Sequence, residues 1–280
     1  MQRTVSAPAK VNLILDVLGK RPDGYHEVAM LMVRLSLYDR VRVTLVPGGP
    51  ITVVCPGLAL AADEENIAAR AARLFLDHTG RKTGVAICID KQIPAAAGLG
   101  GGSSDAAAVL VALDELLATG LSRAELQSLG VRLGADVPFF LCGETAAWAT
   151  GIGEYLQGWR GLPPCHLVLV NPRFAVSTAW VYQNLGLTRF RGMSRIPRFP
   201  ERATDLAQLL RNDLEAVTSA RHSEIAVIKS RLRRAGALGA LMCGSGPTVF
   251  GLFADRPAAD RVAAGLARGT GWWTAAVSPV

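Results

Sequence analysis

Hydrophobic positions along the chain follow two periods, and the segments they define interleave. Residues 4–5 and 11–17 read as β, with a turn at Arg21, Pro22, Asp23 and Gly24 and a second β-rich stretch over residues 30–46. Residues 66–77 are spaced as a helix. Residues 85–91 alternate, with Val85, Ile87 and Ile89 on one face, which predicts a half-buried strand. That strand runs into Ile93 and Pro94 and a glycine-rich turn. Residues 103–117 then read as a helix so apolar that most of its faces must be buried. Ser122, with Glu125 three positions on, is a capping-box signature and opens a helix that ends near Gly134. In the second half we expect strands at 167–170, 240–243, 249–254 and 273–277, and helices at 177–182, 204–210, 223–234 and 257–267. No internal repeat appears. Strands and helices interleave in both halves, which predicts two α+β or α/β layers of similar size.

Composition narrows the class. Of 280 residues, 50% are hydrophobic and 19% charged, enough apolar material for a real core and too much for a disordered chain. No apolar run approaches the ~20 residues that span a bilayer, and the first residues carry no signal-peptide pattern, so no membrane association and a cytoplasmic address are expected. Cys55, Cys88, Cys142, Cys165 and Cys243 are odd in number and form no CxxC pair. The four histidines are isolated as well, so neither a disulfide framework nor a structural metal is expected. Charge is uneven: residues 1–155 hold 14 Lys and Arg against 16 Asp and Glu (−2), and residues 156–280 hold 16 against 7 (+9). The densest part, Arg189, Arg191, Arg195, Arg198 and Arg202, reads as a loop. It is a solvated basic loop, an electrostatic funnel for an anionic small molecule, or a nucleic-acid contact; an aromatic content of 6% and the lack of RNP or zinc-finger patterns weigh against the third.

Four segments carry the chemistry. The strongest runs from Pro94 to Ala106, with Gly98, Leu99, Gly100, Gly101, Gly102, Ser103 and Ser104 between a strand and a buried helix. Glycines let a backbone approach a ligand closely, and the open N–H groups of the first helical turn lie at the positive end of the helix dipole. This reads as a phosphate cradle, with a merely flexible glycine loop as the alternative that the hydroxyls at the helix start weigh against. No Lys follows the glycines as in a Walker A loop, and the third glycine of a dinucleotide fingerprint is replaced by Ser103. The second segment holds Asp136 among apolar neighbours and a proline; it is either a partly buried carboxylate with a partner or an Asp that satisfies local donors at a helix end. In the third, Lys10 interrupts an apolar strand two residues before Asn12; taken alone it reads equally as a surface lysine. Brought together, a Lys and an Asp suit phosphoryl transfer, the Asp accepting a hydroxyl proton and the Lys orienting the nucleophile. The fourth is the glycine turn with Cys243, Gly244, Ser245, Gly246, Pro247 and Thr248, which by itself reads equally as a hairpin.

Together, residues 8–12, 94–106 and 243–248 resemble the three ordered motifs of the galactokinase, homoserine kinase, mevalonate kinase and phosphomevalonate kinase superfamily. Gly24-Tyr25-His26-Glu27, the long glycine loop, residues 134–140 and Asn212-Asp213-Leu214-Glu215 are most similar to the branch that acts on a cytidine diphosphate-linked methylerythritol. The resemblance implies an α+β fold, a two-domain α/β sandwich with an N-terminal half like ribosomal protein S5 domain 2, a ferredoxin-like C-terminal half, and ligands in the cleft between. It implies residues 1–155 as the ATP-binding kinase domain and 156–280 as the substrate side. It further implies ATP with Mg2+, whose ligands the sequence leaves unknown, and phosphorylation of the 2-hydroxyl of the methylerythritol in the non-mevalonate isoprenoid pathway. Carried over by residue, Asp136 is the general base and Lys10 its partner; Pro94 and residues 98–104 hold the nucleotide. Asn12, Tyr25, His26, Tyr182, Gly244 and Ser245 meet the substrate, with His26 reading the base edge and Tyr25 and Tyr182 stacking on it. The expected partner is a small molecule and no nucleic acid, with the chain a monomer or weak homodimer. Another kinase of the superfamily and a non-catalytic nucleic-acid-binding protein are the competing readings.

Overall fold

The structure, a computed structural model, describes residues 1–57, 66–186 and 200–280. Two long strands open the chain: β1 (Gln2–Lys20), which passes through Pro8 without a break, and β2 (His26–Val46). There follow β3 (Ile51–Val54), α1 (Ile67–Thr79), β4 (Gly84–Asp90), α2 (Gly101–Leu117), α3 (Arg123–Leu133) and α4 (Val137–Leu141). Next come β5 (Ala146–Gly151), β6 (Tyr155–Gly158), β7 (His166–Asn171), α5 (Thr178–Gln183), α6 (Ala203–Leu209), β8 (Arg211–Asn212) and α7 (Glu215–Arg221). The chain closes with α8 (Glu224–Arg234), β9 (Gly239–Met242), β10 (Val249–Phe253), α9 (Arg256–Thr270) and β11 (Trp273–Val277). It divides into two compact units that alternate in sequence: residues 1–9, 37–95 and 100–143 form the first, and residues 10–36, 96–99 and 144–280 the second. The boundary expected after residue 155 lies within the last of these segments.

In the first unit β4 runs antiparallel to the end of β2 and parallel to β3. Val41 pairs with Ile89 and Val43 with Ile87, and all four are buried on one face, as the alternation predicts. α1 packs on α2, and α2 on α4. Phe75 of α1 and Leu110 of α2 are completely buried, each contributing about 1.5–3 kcal/mol of hydrophobic stabilisation. The helix ends follow their signals: Asn66 caps α1 by accepting from the N–H of Ala68, and the capping box of Ser122 and Glu125 is formed. α2, however, begins at Gly101, two residues before the expected Ser103, because the glycines themselves enter the first turn.

In the second unit β5 pairs antiparallel with the start of β2, β6 with β5, and β8 parallel with β1. A separate antiparallel sheet has the order β11-β7-β10-β9. Its chain order of strand, helices, strand, strand, helix and strand is the ferredoxin-like arrangement that the C-terminal half was expected to have. α8 packs on β9 and β10 through Ile225, Ile228 and Leu232, and α9 packs on β7 and β11. Of the arginine cluster, Arg189, Arg191, Arg195 and Arg198 lie outside the described residues; Arg202 precedes α6 and pairs with Asp205 at 3.0 Å. Among the described residues no helix is long and apolar enough to cross a membrane, no acidic, His or Cys group could cage a metal, and all five cysteines are free thiols.

Candidate active site

Three segments that are far apart in sequence meet in the second unit. The glycine loop passes between β1 and the turn after β9. Lys10 donates its backbone N–H to the carbonyl of Leu99 (2.9 Å), and Thr248 donates to that of Ala97 (3.4 Å). Gly98 has φ +77°, and a Cβ there would lie 2.2 Å from the carbonyl oxygen of Cys243, so only glycine fits. The Lys10 side chain, on a residue 4% exposed, donates from Nζ to Asn12 Oδ1 at 2.8 Å. Asn12 Nδ2 donates in turn to the Met30 sulfur (3.3 Å), which fixes the amide's orientation.

The turn at residues 243–248 is held from several sides. Asn212 Nδ2 donates to the carbonyls of Met242 (2.9 Å) and Gly244 (2.7 Å), and its Oδ1 accepts from the N–H of Leu214 (2.9 Å). Asp213 accepts from the N–H of Val17, and Glu215 from the N–H of Met242. Thr218 donates to the Ser245 carbonyl at 3.0 Å, Asn171 donates to the Thr248 hydroxyl at 2.9 Å, and the hydroxyls of Thr178 and Ser245 share a hydrogen bond of 2.7 Å. Asn212-Asp213-Leu214-Glu215, singled out in the sequence only by resemblance, thus has a structural reason: Asn212 and Glu215 fix backbone at the glycine turn, and Asp213 ties the segment to β1 at Val17. Burial pushes the Cys243 thiol well up, so it stays neutral.

The expected base-binding residues separate into two groups. His26 and Tyr182 meet, with ring centroids 4.9 Å apart and planes at 32°. Burial and then the charge of Lys20 lower the imidazole from its usual range, which favours the neutral ring. Tyr25 is 60% exposed; its turn is fixed by Asp23, which accepts its N–H at 3.1 Å, and its carbonyl accepts from Arg21. Tyr182 is on α5, the helix that Thr178 ties to Ser245.

In the first unit, Pro94 is half-buried and Gly100 (φ +70°) precedes α2 with no side chain to cap it, leaving the first-turn N–H groups open. A Cβ on Gly102 would make ordinary contact with Ile67 at 3.5 Å, so packing does not demand this glycine. Ser103 is half-buried. Ser104 is 1% exposed and its hydroxyl meets no protein partner, an orphaned polar atom at the positive end of a 17-residue helix. These features fit the oxygens of a phosphate chain. Asp136 precedes α4 in the αR conformation and makes no side-chain cap bond to that helix. Lys91, Asp39 and Asp105, which form a buried ionic cluster at this end of α2, were missed; Lys91 read simply as the end of an alternating strand.

An uncapped helix start fronted by glycines offers open N–H groups that suit a phosphate. Residues 66–144 match the GHMP kinases N terminal domain and residues 195–270 the GHMP kinases C terminal domain. A curated relative from Syntrophotalea carbinolica, named 4-diphosphocytidyl-2-C-methyl-D-erythritol kinase, is 55% identical, the match covering 98% of both chains. One of the same name from Geobacter metallireducens is 52% identical over 98% of this chain and 97% of its own. The chain belongs to the GHMP kinase family, among relatives that bear this name; it is a kinase, and the family implies ATP as phosphate donor. A solved 4-(cytidine 5'-diphospho)-2C-methyl-D-erythritol kinase superposes with a TM-score of 0.80 at 38% identity, covering both chains completely. Homoserine kinase from Cytophaga hutchinsonii, at 19% identity, TM-score 0.77, and coverage of 100% of this chain and 95% of its own, shares the fold.

Proposed function

We propose that the chain catalyses ATP-dependent phosphorylation of the 2-hydroxyl of 4-diphosphocytidyl-2-C-methyl-D-erythritol, giving the 2-phosphate and ADP, a step toward isoprenoid precursors. The observation that carries this reading is the meeting of Lys10, the loop at Gly98 and the turn at Ser245 in a chain that matches kinases of that name over 98% of its length. Residues 98–104 and Pro94 hold the nucleotide, whose phosphates take the open N–H groups of α2 and the Ser104 hydroxyl. Asp136 accepts the proton of the 2-hydroxyl, and the resulting oxygen attacks the γ-phosphorus as the bond to ADP breaks. Lys10, fixed by Asn12, orients that hydroxyl and offsets the charge that develops. Tyr25, His26 and Tyr182 take the cytosine: the His26–Tyr182 contact opens to admit it, Tyr25 closes from its exposed turn, and a neutral imidazole can both donate to and accept from the base. Gly244 and Ser245 line the acceptor. Mg2+, which the kinase reading implies, would accompany the triphosphate and offset its charge. Residues 1–155 serve as the nucleotide side and 156–280 as the substrate side, in keeping with family-domain matches on either side of that boundary.

The test measures Mg-ATP-dependent ADP release with the cytidine substrate, homoserine and mevalonate in parallel. Release is expected with the first alone, and Asp136→Asn is expected to lower kcat by about 10²–10⁴ with little change in substrate binding. Release with another acceptor, or an unaffected variant, refutes the substrate or the base respectively.

A further inference from the structure

Behind the start of α2, in the first unit, lies a cluster that the proposed chemistry does not use. Lys91 Nζ contacts Asp39 of β2 and lies 2.8 Å from Asp105 Oδ2 of α2. Both carboxylates are buried, their side chains 0% and 5% exposed. Asp39 is fully engaged: Oδ1 accepts from the N–H groups of Gln92 (2.6 Å) and Ile93 (2.8 Å), and Oδ2 from Lys91. Asp105 Oδ1 is buried and has no hydrogen-bond partner. The cluster lies against the first turn of α2, since a Cβ on Gly101 would be 3.3 Å from Lys91 Nζ.

Two carboxylates and one ammonium leave a net negative charge buried behind a helix start that must receive a polyanion. Like charges at this range, away from water, oppose binding. A proton on Asp105 Oδ1 removes that charge without touching the bond from Lys91 to Oδ2, and a neutral acid costs less than an ionised oxygen with no donor. The ionisable groups facing Asp105 are Lys91 and Asp39, with the thiols of Cys55 and Cys88 beside them; α4 has no ionisable side chain, and α1 presents Ile67 to Gly102. Burial works against the charge on Lys91, but its two carboxylates outweigh this and keep it an ammonium. Burial keeps the Cys55 thiol protonated. Burial, opposed by Lys91 and aided by Asp39, raises Asp105 to about 7, where such a proton is exchangeable near neutral pH.

We propose that Asp105 is a positioning residue for the nucleotide, taking a proton from solvent onto Oδ1 when the polyphosphate binds at α2 and releasing it when the nucleotide leaves. This rests on the kinase reading, because it needs a polyanion at this helix. The test is calorimetric binding of Mg-ADP, without acceptor, between pH 7.5 and 9 in two buffers of different ionisation enthalpy. Nucleotide phosphates, with a last pKa of about 6, are ionised throughout this range, so proton uptake there belongs to the protein. Wild type is expected to take up a proton on binding, with Kd rising by up to about tenfold per pH unit. Asp105→Asn retains an oxygen for Lys91 and cannot titrate; its uptake is expected to vanish and its Kd to stay level. A purely structural role would not change proton uptake. Wild type binding without proton uptake, or an Asn variant with the wild-type slope, overturns the proposal while the kinase reading stands. No Mg-ADP binding by folded wild type overturns both. If the Asn variant does not fold, the two-buffer measurement on wild type decides.

Discussion

A single amide organises the turn beside the glycine loop. Asn212 donates twice and accepts once, all to backbone, and is buried while doing so. Asn212→Ala strands two carbonyls and one N–H away from water, and we expect it to lower stability by about 2–4 kcal/mol, read from urea unfolding. Asn212→Asp is expected to be no better, because a carboxylate faces both carbonyls and cannot donate. Residues of this kind are hard to read from a sequence, since an Asn in a polar stretch looks like any turn residue. Asp39 and Lys91 were hidden for a related reason. Asp39 stands between Tyr38 and Arg40, and Lys91 ends a strand where a surface lysine is ordinary; only the pairing across β2, β4 and α2 gives them meaning. Lys10, Asp136 and the glycines stand out as candidates because each breaks its local pattern: a charge in an apolar strand, a carboxylate beside proline, and four glycines in five positions.

At the level of elements, two glycines of the same loop separate folding from ligand approach. Gly98 has positive φ, and its missing Cβ is replaced by a carbonyl that belongs to backbone and cannot move aside. Gly98→Ala is expected to destabilise the fold by about 2–5 kcal/mol. At Gly102 a methyl meets only the flexible Ile67, and helix propensity favours alanine by about 0.5–1 kcal/mol, so Gly102→Ala is expected to melt no lower than wild type. Its KM for ATP is nevertheless expected to rise several-fold, because the proposed nucleotide site brings phosphate to this turn; melting and initial-rate measurements on the two variants separate the roles. Long periodic segments, such as residues 85–91 and the closing strand, were readable from pattern alone. β3, α4, β5, β6, β8 and α7 were not. β5 reads Ala-Ala-Trp-Ala-Thr-Gly, which lacks the β-branched signature, and β8 has two residues that form a strand only because β1 lies beside them.

Over the whole molecule the charge is divided: −2 in residues 1–155 and +9 in residues 156–280. A diphosphate substrate drawn to the basic half should have a kcat/KM that falls with added salt. Replacing Arg189, Arg191, Arg195 and Arg198 with Gln is expected to flatten that salt dependence and lower the rate of substrate capture by about tenfold at low salt; an unchanged slope identifies the cluster as solvated surface. The order of motifs along almost the whole chain made the superfamily legible, yet sequence periodicity could not show that the units alternate, because β1 and β2 each contribute to both units and nothing in their pattern marks where. The tie between Thr178 and Ser245 has a consequence for acceptors stripped to their sugar chain. Tyr182 rides on the same short helix as Thr178, so on the proposed reading a cytosine that drew Tyr182 away from His26 would also pull on the hydroxyl that borders the glycine turn. The base would then act as a handle for the distant hydroxyl, and an acceptor without it is expected to lose turnover as well as affinity in initial-rate measurements.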